Sequence, residues 1–164
     1  MGASKRFSTT SVQGLPARRI PGFTLIELMA TVMIAAILLS AGTPYFREFV
    51  LGQRIRAAAY DLASTLSYAR SEAVKRNTSV SIAPAAGGWQ NGWTVMAGVA
   101  VLSRHEAVTG LTVSGPAGGL AYNSNGRLAA LASTFGISAS GSTVTPRCVS
   151  VDLSGMPASQ TGAC

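Results

Sequence analysis

The 21 residues from Phe23 to Thr43, FTLIELMATVMIAAILLSAGT, carry a single charge, the acid Glu27, in an otherwise apolar run. Coiled as an α-helix they span about 32 Å, close to the roughly 30 Å of a bilayer's hydrocarbon core. Lys5, Arg6, Arg18 and Arg19 precede the run, so the positive-inside rule keeps its N-terminal end in the cytoplasm and exports the chain beyond it. A cleaved signal peptide is the alternative, with Ala41 and Gly42 as small residues at the cut. Glu27 argues against it. An isolated acid in a spanning helix costs about 2.5–3.5 kcal/mol at the centre and less near an end. A plain export signal gains nothing from that acid, whereas a buried acid is reasonable where a positive charge comes to meet it.

The rest of the composition narrows the class. The 164 residues are 48% hydrophobic and 12% charged, about half the charge of an average soluble domain. That balance excludes a disordered chain, and the length allows one ordinary domain with an appendage. The formal charge of +7 invites a nucleic-acid partner. Four of the 13 basic residues lie in the first 22, however, and the remaining nine face 6 acids, a net of only +3. Most of the basic excess is therefore a targeting signal.

Beyond Pro44 the spacing predicts that helix resumes. Ile55, Ala58, Ala59, Leu62, Leu66, Ala69 and Ala73 recur at three and four, forming one apolar stripe. Glu72 and Arg76 stand four apart in the favourable order, worth about 0.2–0.5 kcal/mol. Lys75 and Arg76 suit the negative end of the helix dipole, and Asn77 is the expected stop. A helix from Phe23 to Arg76 is about 80 Å long, so its first half belongs in lipid and its second half against a soluble core. Pro44 predicts a kink. From Thr78 onward the period becomes two, with candidate strands at 78–83, 92–103, 107–114, 119–123, 133–139, 142–146 and 147–153. Asn125-Gly126 and Ser154-Gly155 are turn signals. The fold class is α+β, a long N-terminal helix packed on a mainly antiparallel β domain.

Gly22-Phe23-Thr24-Leu25-Ile26-Glu27 resembles the processing site of type IV prepilins and pseudopilins. The resemblance implies that a prepilin peptidase cuts after Gly22 and methylates the new amine on Phe23. It implies that Glu27 pairs with such an amine, commonly a neighbouring subunit's, during assembly. Ala69-Arg70-Ser71-Glu72-Ala73-Val74-Lys75-Arg76, Trp89-Gln90-Asn91-Gly92-Trp93 and Tyr122-Asn123-Ser124-Asn125-Gly126-Arg127, in that order, are similar to stretches of the GspH/FimT group of minor pilins. Trp89 and Trp93 are read as core or rim packing rather than a binding platform. Some FimT-type members are linked to DNA uptake through a basic C-terminal "GRxR" pattern. The matching stretch here, Ser154-Gly155-Met156-Pro157-Ala158, lacks both arginines. Arg104, Arg127 and Arg147 are the remaining candidates for a DNA contact, which needs them to converge in space.

Cys148 and Cys164 are the two cysteines. In an exported domain a disulfide between them is the expected state, closing a loop of about 17 residues for roughly 3 kcal/mol. With one His they fall short of a metal site. His105, between Arg104 and Glu106, reads as a solvated turn residue. No catalytic motif appears, and nothing points to a cofactor or an enzyme. The expected organisation is a leader at 1–22, a transmembrane and assembly segment at 23–43, an amphipathic helix at 44–77 and a periplasmic β-rich domain at 78–164. The resemblance implies a structural subunit anchored in the inner membrane, with other pilins and the prepilin peptidase as partners. The alternatives are a type II secretion pseudopilin, a DNA-uptake receptor and a tethered periplasmic enzyme.

Overall fold

A computed structural model describes residues 22–164, with only the backbone of 41–44. The basic leader therefore lies outside the described residues, and the kink expected at Pro44 falls on side chains outside them. The chain divides into two compact units, Met1–Ala41 and Gly42–Cys164. One helix, α1 (Leu25–Arg76), starts in the first and supplies the second with its backing.

The start and stop of α1 follow from local chemistry. Thr24 caps it, its Oγ1 accepting from the Glu27 N–H at 3.3 Å, the role that short hydroxyl side chains fill at helix N-termini. At the other end Asn77 turns left-handed, with φ 49°, a conformation Asn tolerates better than most residues. The Thr78 N–H then reaches the Ala73 carbonyl and the Asn77 N–H reaches Val74, both at 3.2 Å, the paired bonds of a Schellman stop. All seven residues of the predicted stripe, from Ile55 to Ala73, are buried.

Two antiparallel four-stranded sheets cover that stripe. The first has the order β3–β2–β1–β5, from β1 (Val80–Ala85), β2 (Gly88–Ala97), β3 (Ala100–His105) and β5 (Leu120–Tyr122). The second has the order β4–β6–β7–β8, from β4 (Thr112–Ser114), β6 (Ser133–Ser138), β7 (Arg147–Val151) and β8 (Pro157–Thr161). Val80, Ile82 and Val95 of the first sheet, and Phe135, Ile137, Val149 and Val151 of the second, join the helix stripe in one core.

Four strand expectations are corrected. The expected strand 107–114 is strand only over β4, its first part being held by the Val108 N–H on the Gln90 carbonyl at 2.9 Å. The predicted strand 92–103 is two strands, because Gly98 (φ 58°) and Val99 form a two-residue hairpin loop between paired Ala97 and Ala100. A glycine in the first position suits a type II′ turn; an otherwise apolar run offers no polar signal for it. The stretch 142–146 is not a strand. Thr143 Oγ1 donates instead to Glu48 Oε1 at 2.8 Å, and Val144 lies beside Gly52, so contacts with the helix override β-propensity. Conversely, β8 is a strand that alternation does not predict: polar, and begun by Pro157, it runs along the sheet edge, where a proline at the first position is tolerated. Its tail is held by the Cys148–Cys164 disulfide, with Cα atoms 5.0 Å apart, and by the Gly162 N–H on the Pro146 carbonyl at 2.9 Å.

The junction of the sheets is tight at Gly115. A Cβ there would lie 2.5 Å from Phe135 Cδ1 and 2.8 Å from Trp89 Nε1. Those rings meet edge-to-face at 4.8 Å, and the Trp89 indole N–H donates to the Pro116 carbonyl at 3.0 Å, so neither is free to yield. Gly115→Ala is expected to destabilise the domain by about 1–3 kcal/mol through overpacking. Chemical denaturation checks this, and an unchanged midpoint would contradict it.

Candidate assembly interface

In the first unit the polar atoms of the apolar helix are satisfied within the helix itself. Thr31 Oγ1 donates to the Leu28 carbonyl and Ser40 Oγ to the Ile37 carbonyl, each at 2.8 Å. Glu27 is different. It lies in the first turn, where the helix dipole favours a negative charge, yet among the described residues no cation pairs with its carboxylate. Around it Phe23, Leu25, Ile26, Leu28, Met29, Val32, Met33, Ile34, Ile37, Leu38 and Leu39 are all exposed, Phe23 by 80%. A helix that is apolar around its whole circumference requires lipid or other helices. No single helix is by itself long and apolar enough to pass as a span among the described residues; Leu25–Ser40 passes together with Tyr45–Arg76. Gly22 and Phe23 stand just ahead of the helix, exposed.

In the second unit the stretches that resemble the GspH/FimT group act as clamps. Arg70 Nε donates to the Gly126 carbonyl at 2.9 Å, and its Nη1 reaches Met156 Sδ at 3.1 Å. Helix, β5–β6 turn and β7–β8 turn therefore meet on one guanidinium. Gly155 (φ 82°) completes the junction: a Cβ there would be 2.2 Å from the Gly126 carbonyl oxygen. Beside it Glu72 binds Arg76 Nε at 2.6 Å and Lys75 Nζ at 3.5 Å. The Arg76 hydrogen bond, above all, holds the Glu72 carboxyl below its usual range. Trp93 is buried, its indole N–H donating to Thr65 Oγ1 at 3.3 Å. Trp89 is buried as well, so both tryptophans are packing residues.

His105 is corrected. It is not a solvated turn residue but the last residue of β3, cross-strand from Trp93 and stacked on that ring at 4.1 Å and 10°. Its Nε2 lies 3.5 Å from Asp61 Oδ2 of the helix. The Gly98 hairpin alone would set Trp93 opposite Arg104; a β-bulge at Val95/Met96 shifts the register by one residue and brings His105 there instead, and nothing in the sequence signals that bulge.

The three arginines considered for DNA do not converge. Arg104 is on β3 and Arg127 follows β5, the opposite edges of the first sheet, about 14 Å apart at the usual strand spacing. Arg147 belongs to the second sheet and donates to Ser159 Oγ at 3.4 Å. The turn that aligns with the basic pattern is organised by an acid: Asp152 Oδ1 accepts from Ser154 Oγ at 2.6 Å and from the Met156 N–H at 3.3 Å. The Ser154 bond, chiefly, lowers the Asp152 carboxyl from its ordinary range.

Comparison with known proteins agrees with this geometry. Residues 58–155 match the family described as Type II transport protein GspH. The chain belongs to the GspH family. Residues 18–43 match the prokaryotic N-terminal methylation motif, which places the Gly22–Glu27 stretch inside it. The type IV minor pilin FimU of Pseudomonas aeruginosa, in one crystal form, is 28% identical with a TM-score of 0.59, covering 66% of this chain and 89% of FimU. In a second form the values are 30% and 0.56, over 64% and 91%. The minor pseudopilin EpsH of the Vibrio cholerae type 2 secretion system shares the fold, with a TM-score of 0.54 at 14% identity over 66% of this chain and 97% of EpsH. No curated protein sequence matches. This GspH-family chain is thus a type IV minor pilin or pseudopilin, with the long helix and antiparallel sheets of that fold. Its apolar N-terminal helix has the exposed surface that suits a membrane, and the relatives it resembles are a minor pilin and a minor pseudopilin.

Tyr122, which the sequence places in a family-like stretch without a role of its own, is fully buried, with no hydrogen-bond partner for its hydroxyl among the described residues. Burial pushes its hydroxyl from 10.0 up to about 12. Folding therefore resists its ionisation: the stability is intact below pH 10.0 and falls progressively as pH rises towards 12. Tyr122→Phe is expected to be neutral or slightly stabilising at pH 7, since an unpaired hydroxyl is removed. Unfolding curves should also show that the variant loses less stability than the parent above pH 10. Equal alkaline losses would contradict the assignment.

Proposed function

We propose that this chain is a minor pilin of a type IV pilus. It is made as a single-pass inner-membrane precursor, cut after Gly22 by a prepilin peptidase and N-methylated on Phe23. It is then drawn into a filament, or the priming or tip complex of one, by packing of residues 23–50 against the helices of other pilins. In this reading 1–22 is the leader, 23–43 the membrane and assembly segment, 44–77 the amphipathic helix and 78–164 the periplasmic docking domain. The chain works by packing, not by catalysis. The observation that carries the reading is the exposed apolar helix with one acid, Glu27, that pairs with no cation among the described residues. Such a surface suits lipid first and neighbouring helices later, and the acid suits a partner's N-terminal amine.

A second reading, a pseudopilin of the GspH type in a type II secretion system, is favoured by the family's own description. The higher identity to FimU than to EpsH supports the pilus, and the neighbouring genes discriminate between them. Nucleic-acid binding is not favoured, because Arg104, Arg127 and Arg147 lie apart.

Glu27→Ala is expected to leave cleavage and methylation intact. Recovery of the chain in sheared filaments should fall by more than about tenfold, because a neighbour's amine is buried without a partner. Immunoblots of sheared and membrane fractions measure both, and parental recovery of the variant in filaments would overturn the charge-pairing account.

A further inference from the structure

Between Glu27 and Arg47 the chain has 19 residues without a charge, about 28 Å of helix at the usual rise. The far end of that stretch and the turn just beyond it are aromatic. Tyr45, Phe46 and Phe49 are 77%, 68% and 61% exposed. At about 100° per residue they occupy one arc roughly 100° wide, centred about 130° around the helix from the stripe of Ile55, Leu62 and Leu66. They face away from the β domain and stand exposed among the described residues. Glu48, by contrast, is on the domain side and is engaged by Thr143. The same outward arc continues with Gln53 and Arg56, both exposed, so its apolar part ends at Phe49.

We propose that Tyr45, Phe46 and Phe49 form an aromatic anchor that lies in the headgroup layer of the periplasmic leaflet before assembly. The inference rests on the membrane-anchored pilin reading and adds to it the depth at which the precursor stops. Three features converge on lipid as the occupant. The uncharged stretch matches the thickness of a hydrocarbon core, so its end falls at the interface. Tyr45 favours that layer because its ring is apolar and its hydroxyl wet, and Phe46 and Phe49 supply the apolar face that settles at the boundary of headgroups and acyl chains. Arg47, adjacent and exposed, is the first charge beyond the stretch and has the reach to meet lipid phosphates from there.

The test uses the full chain in phosphatidylethanolamine–phosphatidylglycerol vesicles doped with lipids brominated either near the headgroup or near the chain end. Phe46→Trp places a fluorophore in the anchor, and Met33→Trp places one mid-span; the native Trp89 and Trp93 are buried and form a constant background. Both substituted side chains are exposed, and an unchanged near-ultraviolet circular dichroism spectrum verifies the fold. Trp at position 46 is expected to be quenched at least about twofold more by the shallow bromines than by the deep ones, with the order reversed at position 33. Quenching at 33 but at neither depth for 46 overturns the anchor alone; crosslinking of 46 between copies would then give the face to a second chain. Stronger deep than shallow quenching at 46 also overturns it. No quenching at either position overturns the membrane reading itself.

Discussion

A helix with apolar side chains on every side has no stable state in water. That constraint governs this protein from Phe23 to Leu39, where the large side chains are exposed. The cost is met in two environments with the same requirement, a bilayer and a bundle of like helices. Glu27 makes the second more than a matter of greasiness. A carboxylate in such surroundings is stabilised by a cation brought to it, and cleavage after Gly22 would create one as a free amine. In the proposed reading, anchoring follows from the apolar segment and assembly from the one charge placed near its end.

The second unit solves a different problem, that of giving a half-buried helix a lasting partner. Seven small or aliphatic residues between Ile55 and Ala73 are sealed under two sheets. Alanines at 58, 59, 69 and 73 in that stripe permit close approach of the strands. The loops are then tied to the helix by polar contacts, Arg70 on Gly126 and Thr143 on Glu48. The disulfide and Gly162 hold the edge strand β8 in place. The domain is a fastened cover for the helix, and its site-like features, the tryptophans and the arginine clamp, are fastenings.

Periodicity makes the helix and its buried face readable from sequence, because each residue of the stripe repeats at the helical spacing and no tertiary contact is needed to see it. The ends are readable for the same local reason, through Asn77 and the acid in the first turn. Strand limits are less legible. Gly98 turns the chain inside an apolar run, and β8 is a strand because β7 pairs with it, not because PASQT favours extended structure. Least legible are partners distant in sequence. Nothing near Arg70 announces a carbonyl 56 residues away, and nothing in Arg104 or Arg127 says that the sheet order puts two strands between their edges. Stacking of His105 on Trp93 is likewise a product of register.

The most direct test of the account is the N-terminus of the protein taken from its own host's membranes, read by intact mass and by N-terminal peptide sequencing. The account predicts a chain that begins at an N-methylated Phe23, with Glu27 retained and Cys148 joined to Cys164. A chain that still carries residues 1–22, or one cut near Gly42, would contradict it.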